Sequence, residues 1–178
     1  MGCGGNRPGP GGVQRVVRTV GVGLACALVA GCGGGVAGEP VAELWDPCSL
    51  PAEALEGVGV EPGVVNSSRQ SNPSGEWRYC TFDLDWAFLT VFTTTASYAV
   101  VSTDSRATDR VPVTVDGRPA VQFEIPEASS APSCFVALER SFGATQFRVT
   151  SKSTEPPPVS PCDVARLHAD SLIRFVPE

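Results

Sequence analysis

Glu76-Trp77-Arg78-Tyr79-Cys80-Thr81-Phe82-Asp83-Leu84 decides the fold. Successive side chains of an extended chain point to opposite faces. Cys80, Phe82 and Leu84 therefore share one face, and Trp77, Tyr79, Thr81 and Asp83 share the other. The first set has the composition of a core, so this is a strand whose Cys80 thiol points inward, where a disulfide is protected.

Further strands follow toward the C-terminus. Residues 88–95 are rich in Thr, Val and Phe, which suit a pleated surface. Residues 111–125 read as a hairpin around Asp116-Gly117. A two-residue turn would set Val113 opposite Ala120 and Val111 opposite Gln122. A three-residue loop, Val115-Asp116-Gly117, would pair Val111 with Val121 and Val113 with Pro119. The second register joins two apolar faces and puts Gly117 at the left-handed position of a bulged turn, so it is the one expected. Cys134, Val136 and Leu138 alternate inward on the next strand. After a turn near Gly143, Phe147 and Val149 oppose Gln146, Arg148 and Thr150 within residues 145–151.

Helices are expected at both ends. Pro51-Ala52-Glu53-Ala54-Leu55-Glu56 is a short one, with Pro in its first turn and Gly57 at its end. Residues 57–75, rich in Gly, Asn, Ser and Pro, read as a loop. Beyond the stiff Glu155-Pro156-Pro157-Pro158, Ser160 caps the last helix, Pro161 takes its first position and Asp163 completes a capping box. Val164, Leu167, Leu172 and Phe175 form its apolar stripe. The order describes an α+β domain: an antiparallel sheet of about five or six strands, flanked by a short N-terminal and a longer C-terminal helix.

Residues 1–31 have the pattern of a lipoprotein signal peptide. Arg15 and Arg18 precede a 12-residue apolar run, Thr19 to Ala30, too short for the roughly 20 residues of a membrane span. Val29-Ala30-Gly31-Cys32 then resembles the bacterial lipobox, with small residues before a thiol that accepts a diacylglyceryl group. Cys32 is the expected lipidation site, and two acyl chains hold a protein on a membrane almost permanently. Residues 32–43, with Gly33-Gly34-Gly35, are expected to form a flexible tether. Residues 44–178 form the single domain, on the extracytoplasmic side of the cell membrane.

Four cysteines remain in that domain: Cys48, Cys80, Cys134 and Cys162. An even number in an exported chain points to two disulfides. Three pairings exist, and Cys48–Cys80 with Cys134–Cys162 is favoured by proximity and by the strand faces. A zinc site is disfavoured because no two of the four have the close spacing it uses. Removing the three arginines of residues 1–31 leaves ten basic against nineteen acidic residues, a formal charge of −9. Such a body gives no electrostatic reason to bind nucleic acid.

Catalytic chemistry finds little support. The one histidine, His168, lies beside the apolar stripe and reads as partly buried or on the surface. A single His without a free Cys supports neither a hydrolytic triad nor a multi-His metal site. Asp83 and Asp85 read as a solvated strand end, and Glu53 and Glu56 as exposed helix acids. Asn66-Ser67-Ser68 matches a glycosylation sequon that has little force in a bacterial lipoprotein. Trp77 and Tyr79, opposite the core face, are the candidate binding surface. Phe82, Phe88, Phe92 and Phe147 are candidates to line an apolar pocket between sheet and helices. No cofactor, metal or catalytic residue is expected.

Trp45-Asp46-Pro47-Cys48-Ser49-Leu50 soon after a lipobox, Cys80 in an aromatic strand, Val115-Asp116-Gly117-Arg118-Pro119-Ala120 at a central hairpin and Phe175-Val176-Pro177 after the last helix resemble a known set. They are similar to the actinobacterial, mycobacterial-type cell-envelope lipoproteins that carry a domain of unknown function. The resemblance runs from Leu44 to Pro177. It implies an envelope lipoprotein and brings no reaction. The expectation is a non-catalytic binding or assembly module, whose partners are the membrane, through its anchor, and an unidentified envelope protein or ligand. The alternative is a carrier of a lipid or other apolar small molecule.

Overall fold

Seven strands form one antiparallel sheet in the computed structural model, which describes residues 43–126 and 131–178. In chain order they are β1 (Glu61–Asn72), β2 (Gly75–Asp83), β3 (Ala87–Thr94), β4 (Thr108–Val115), β5 (Arg118–Glu124), β6 (Ser133–Arg140) and β7 (Gly143–Ser151). Across the sheet the order is β1-β2-β3-β7-β6-β5-β4. Two meanders are thus joined by one crossover from β3 to the far edge, and the chain returns to pair β7 with β3. Three helices accompany the sheet: α1 (Ala52–Glu56), α2 (Tyr98–Ser102) and α3 (Pro161–Leu172).

The sheet has seven strands, not five or six, because residues 61–72 are a strand and not a loop. β1 is an edge strand exposed along nearly its whole length. Neither face is buried, so its sequence carries no alternation to read. Hydrogen bonding to β2 makes it a strand, with irregular register between Glu61, Val64 and Asn66. The expected β4–β5 register is also corrected. Val113 opposes Ala120 and Val111 opposes Gln122 around a two-residue turn. Asp116 (φ 47°) and Gly117 (φ 74°) are both left-handed, the turn whose twist matches that of the strands it joins. The Asp116 N–H donates to the Asp170 carboxylate of α3 at 2.7 Å, so the last helix holds the turn from outside.

One face of the sheet carries the main core. Cys80, Phe82, Leu89, Val91, Val136, Leu138, Phe147 and Val149 are buried there, each large apolar side chain stabilising by about 1.5–3 kcal/mol. α3 lies over β6 and β7. It starts as its sequence suggests, with Ser160 accepting from the Asp163 N–H at 3.4 Å and Pro161 at its head. Its buried stripe differs from expectation. Ala165, His168, Ala169 and Leu172 face the sheet, whereas Leu167 is 61% exposed and Val164 and Phe175 are half-buried. A disulfide joins Cys162, in the first turn of α3, to Cys134 of β6, with Cα atoms 4.9 Å apart.

The second disulfide joins Cys48 to Cys80. Pro47–Ser49 form a short 3₁₀ turn capped by Asp46, whose carboxylate accepts from the Cys48 N–H at 2.9 Å. The Thr93 hydroxyl donates to the Trp45 carbonyl at 2.8 Å, laying this leading segment against the core face. On the chain-entropy model each disulfide stabilises by about 3–4 kcal/mol.

Gly143 starts β7 at φ +137°. A Cβ there would press into the Thr94 carbonyl oxygen and lie 2.6 Å from that of Ala96. The end of β3, where the crossover departs, therefore packs directly on bare backbone. Gly143→Ala is expected to lower stability by about 3 kcal/mol, combining an unfavourable φ with overpacking. The urea midpoint reads it, and an unchanged midpoint contradicts the packing described.

Candidate functional site

Trp77, Tyr79, Phe92, Phe135 and Phe123 lie on the face opposite α3, where strand alternation places them by way of the pairs Tyr79–Phe92 and Phe123–Phe135. Their rings run across the sheet: Tyr79 to Phe92 at 5.5 Å, Phe92 to Phe135 at 6.4 Å, and Phe135 to Phe123 at 5.3 Å, stacked within 2°. Aromatic contacts at such distances contribute about 0.5–1.5 kcal/mol beyond area burial. β7 interleaves two polar groups, since Gln146 pairs with Phe92 and Arg148 opposes Phe135. The Arg148 guanidinium sits 5.2 Å over the Phe135 ring.

The β3-to-β4 crossover passes over this same face and brings α2 with it. Ser97 caps α2 by accepting from the Val100 N–H at 3.4 Å. Val101 packs with Ala96, Ala107, Phe123, Phe135, Ala137 and Ala144. Ala137 and Ala144 are the small residues beneath it. With five residues, α2 covers only part of the face. Between it and the β1–β2 turn is a cleft of about 330 Å³, at the small end of ligand-pocket sizes.

The cleft is mixed in character. Trp77, Phe92, Phe123 and Phe135 supply apolar surface from the sheet, with Val100 and Val101 from α2. Asn72, Ser74, Gln146, Arg148, Asp104 and Arg106 supply the polar part. Asp104 takes both Nε (3.1 Å) and Nη2 (2.7 Å) of Arg106, which holds its carboxyl below the usual range against the opposing effect of burial. Gln146 is only 6% exposed, and its side chain has no hydrogen-bond partner among the described residues.

The two aromatics singled out from sequence do share this face, and both are half-buried. Trp77 lines the cleft. Tyr79 instead leans on Phe92 and accepts from the Asn66 amide at 3.4 Å, in a second groove with Asp46, Arg69 and Arg78. There Arg78 binds Glu43 at 2.6 Å, and Arg69 binds Glu76 at 2.7 Å.

The four phenylalanines proposed as one pocket are divided between the faces. Phe82 and Phe147 are fully buried in the main core, and of the four only Phe92 lines the cleft. Asp83 pairs with Lys152 at 2.8 Å, and Lys152 also donates to the Asp85 carbonyl at 3.0 Å. Glu53 and Glu56 are exposed. Among the described residues, no three His, Cys, Asp or Glu side chains gather as a metal cage. Cys32, the signal segment and nearly all of the tether lie outside the described residues.

Phe123, Phe135, Gln146 and Arg148 were missed as site residues. For three the signal was present: Phe135, Gln146 and Arg148 fall between inward residues on alternating strands and so must face outward, whereas Phe123, between Gln122 and Glu124, is placed there by its pairing with Phe135.

Fold and cleft together define an α+β domain with one sealed sheet face and one partly covered, aromatic face. By its match over residues 27–174, the chain belongs to the family described as "Protein of unknown function (DUF3558)". No curated protein and no solved structure matches it.

His168 is neither partly buried nor on the surface: it is 3% exposed on the sheet side of α3. Neither ring nitrogen has a hydrogen-bond partner among the described residues. Desolvation pushes its pKa down to about 4 from 6.5. Between those values the unfolded chain takes a proton that the folded chain refuses. Stability from this group is therefore complete above pH 6.5 and falls as pH drops toward 4, by roughly 3 kcal/mol. His168→Leu is expected to flatten that part of the pH profile. It should also keep or raise stability at pH 7, since an apolar group replaces an unsatisfied one. Urea midpoints from pH 7 to 4 test both, and parallel profiles for the two proteins would refute the assignment.

Proposed function

We propose that the chain is a membrane-anchored, extracytoplasmic lipoprotein of the actinobacterial, mycobacterial-type envelope set, and that its domain is a non-catalytic binding module. The cleft beneath α2 is the observation that carries this reading. It combines apolar rings with hydrogen-bonding groups on a rigid sheet, the make-up of a recognition site. The only histidine lies on the other side of the sheet, in the core. Two disulfides suit an oxidising compartment. The family match begins at residue 27 and so takes in Val29-Ala30-Gly31-Cys32. Among the described residues no helix is long and apolar enough to cross a membrane.

The carrier reading is the weaker one. The main core, where Phe82 and Phe147 would have faced an apolar cargo, is filled by α3. The cleft on the other face is too polar for a cargo without hydrogen-bonding groups. The remaining partner is an envelope molecule, and the acidic body gives no reason for that partner to be nucleic acid.

Cys32→Ser is expected to move the protein from the membrane pellet to the soluble fraction. Intact-mass analysis should find the native chain starting at a diacylglyceryl-modified Cys32. A native chain with unmodified Cys32 removes the anchor from the proposal. For the cleft, Val100→Trp is the probe, because Val100 is 50% exposed and lines the cleft from outside the core. Immobilised full-length chain is expected to retain small molecules from an envelope extract, and Val100→Trp should lose them, as read by mass spectrometry. Equal retention by both proteins would count against the cleft.

A further inference from the structure

The geometry points to a neutral saccharide as the ligand of the cleft. This rests on the reading of the cleft as a binding site and adds its chemistry. The charges lining the cleft are already engaged. Asp104 and Arg106 hold each other through two hydrogen bonds, and Arg148 lies over the Phe135 ring. An anion or cation would have to compete with those contacts.

The neutral polar groups are differently placed. Gln146 is more than nine-tenths buried, lines the cleft, and has no side-chain partner among the described residues. Its amide offers two N–H donors and a carbonyl acceptor. Asn72 uses its carbonyl on the Ser74 N–H at 2.8 Å, which leaves its NH₂ group to face a ligand. Trp77, Phe92 and Val101 supply the adjacent apolar surface.

A sugar ring matches this pairing. Its C–H groups make an apolar face, and its rim carries hydroxyls that both donate and accept. An acyl chain would bury the Gln146 and Asn72 amides without returning a hydrogen bond. The volume, about 330 Å³, suits a small sugar unit and not a long chain.

The test is calorimetric titration of the full chain, held in lipid nanodiscs. The probes are maltose, cellobiose and N,N′-diacetylchitobiose, with decanoate as the apolar comparison. At least one disaccharide is expected to bind, with affinity reduced tenfold or more by Gln146→Leu at an unchanged unfolding midpoint. Asn72→Ala, at an exposed position, takes over if Gln146→Leu does not fold, and is expected to weaken binding about threefold. Disaccharide affinity that ignores both substitutions overturns the inference. Binding of decanoate alone, blocked by Val100→Trp, overturns the saccharide and leaves the cleft as a ligand site. Binding of neither class sinks both.

Discussion

The bond between Cys134 and Cys162 decides which side of α3 meets the sheet. Cys134 is fully buried on the core face of β6, so the first turn of the helix must point its Cys162 at that face. At helical periodicity the positions that follow on the same side are 165, 169, 172 and 176. Ala165, Ala169, Leu172 and Val176 are all buried. Two of those residues are alanines, so the helix backbone can come close and larger side chains on β3, β6 and β7 fill the space below. The same phase sends Leu167 to solvent and draws His168 inward. An unsatisfied imidazole in the core is a consequence of where the helix was pinned.

Sealing one face has an effect on the other. The chain must still travel from β3 to the far edge at β4, and the core side is occupied by α3 and by the leading segment held at Thr93. The crossover runs over the outer face and leaves only the five residues of α2 there. That is enough to bury Val101, Phe123 and Phe135 with Ala137 and Ala144, but it leaves Trp77, Tyr79 and Phe92 half-buried. The cleft is thus a product of topology: a crossover too short for the face it has to cross. Gly143 and Gly75 permit it, because the segment at 94–96 passes so close to both that neither could carry a side chain.

Much of this was legible from residues alone, and the failures have physical causes. The alternation in β2 placed Cys80, Phe82 and Leu84 in the core, where they are buried. β1 could not be read, because a strand wetted on both faces has no period. The β4–β5 register misled because pairing valine with valine looked favourable, whereas Asp116 and Gly117 both accept left-handed backbone and so close a tighter turn. The stripe on α3 was misjudged by ranking residues on size. Leucine outweighs alanine in a hydrophobicity count, but helix phase is a geometric matter, and Cys162 already carried it. In the site, Trp77 was found by asking what opposed the core. Phe135 and Gln146 would have followed from putting the same question to β6 and β7.

Gln146 is the residue least easily explained by folding. It stands on a central strand between Thr145 and Phe147, both buried, and opposite Phe92 and Ala137. Its amide opens onto the cleft, where water can satisfy it; a molecule that covers it without returning a hydrogen bond leaves it unpaired at a cost of about 1–3 kcal/mol. A leucine or methionine would fill the same space next to Phe92 without needing a hydrogen bond. His168 differs, since both its ring nitrogens are buried without a partner among the described residues, and its burial follows from the pinned helix. Gln146 instead lines a cleft that a small molecule can enter, where its missing hydrogen bonds can be supplied from outside the chain. The two polar side chains therefore mean different things on the two sides of the sheet: a by-product of packing under α3, and a hydrogen-bonding group offered to a ligand under α2.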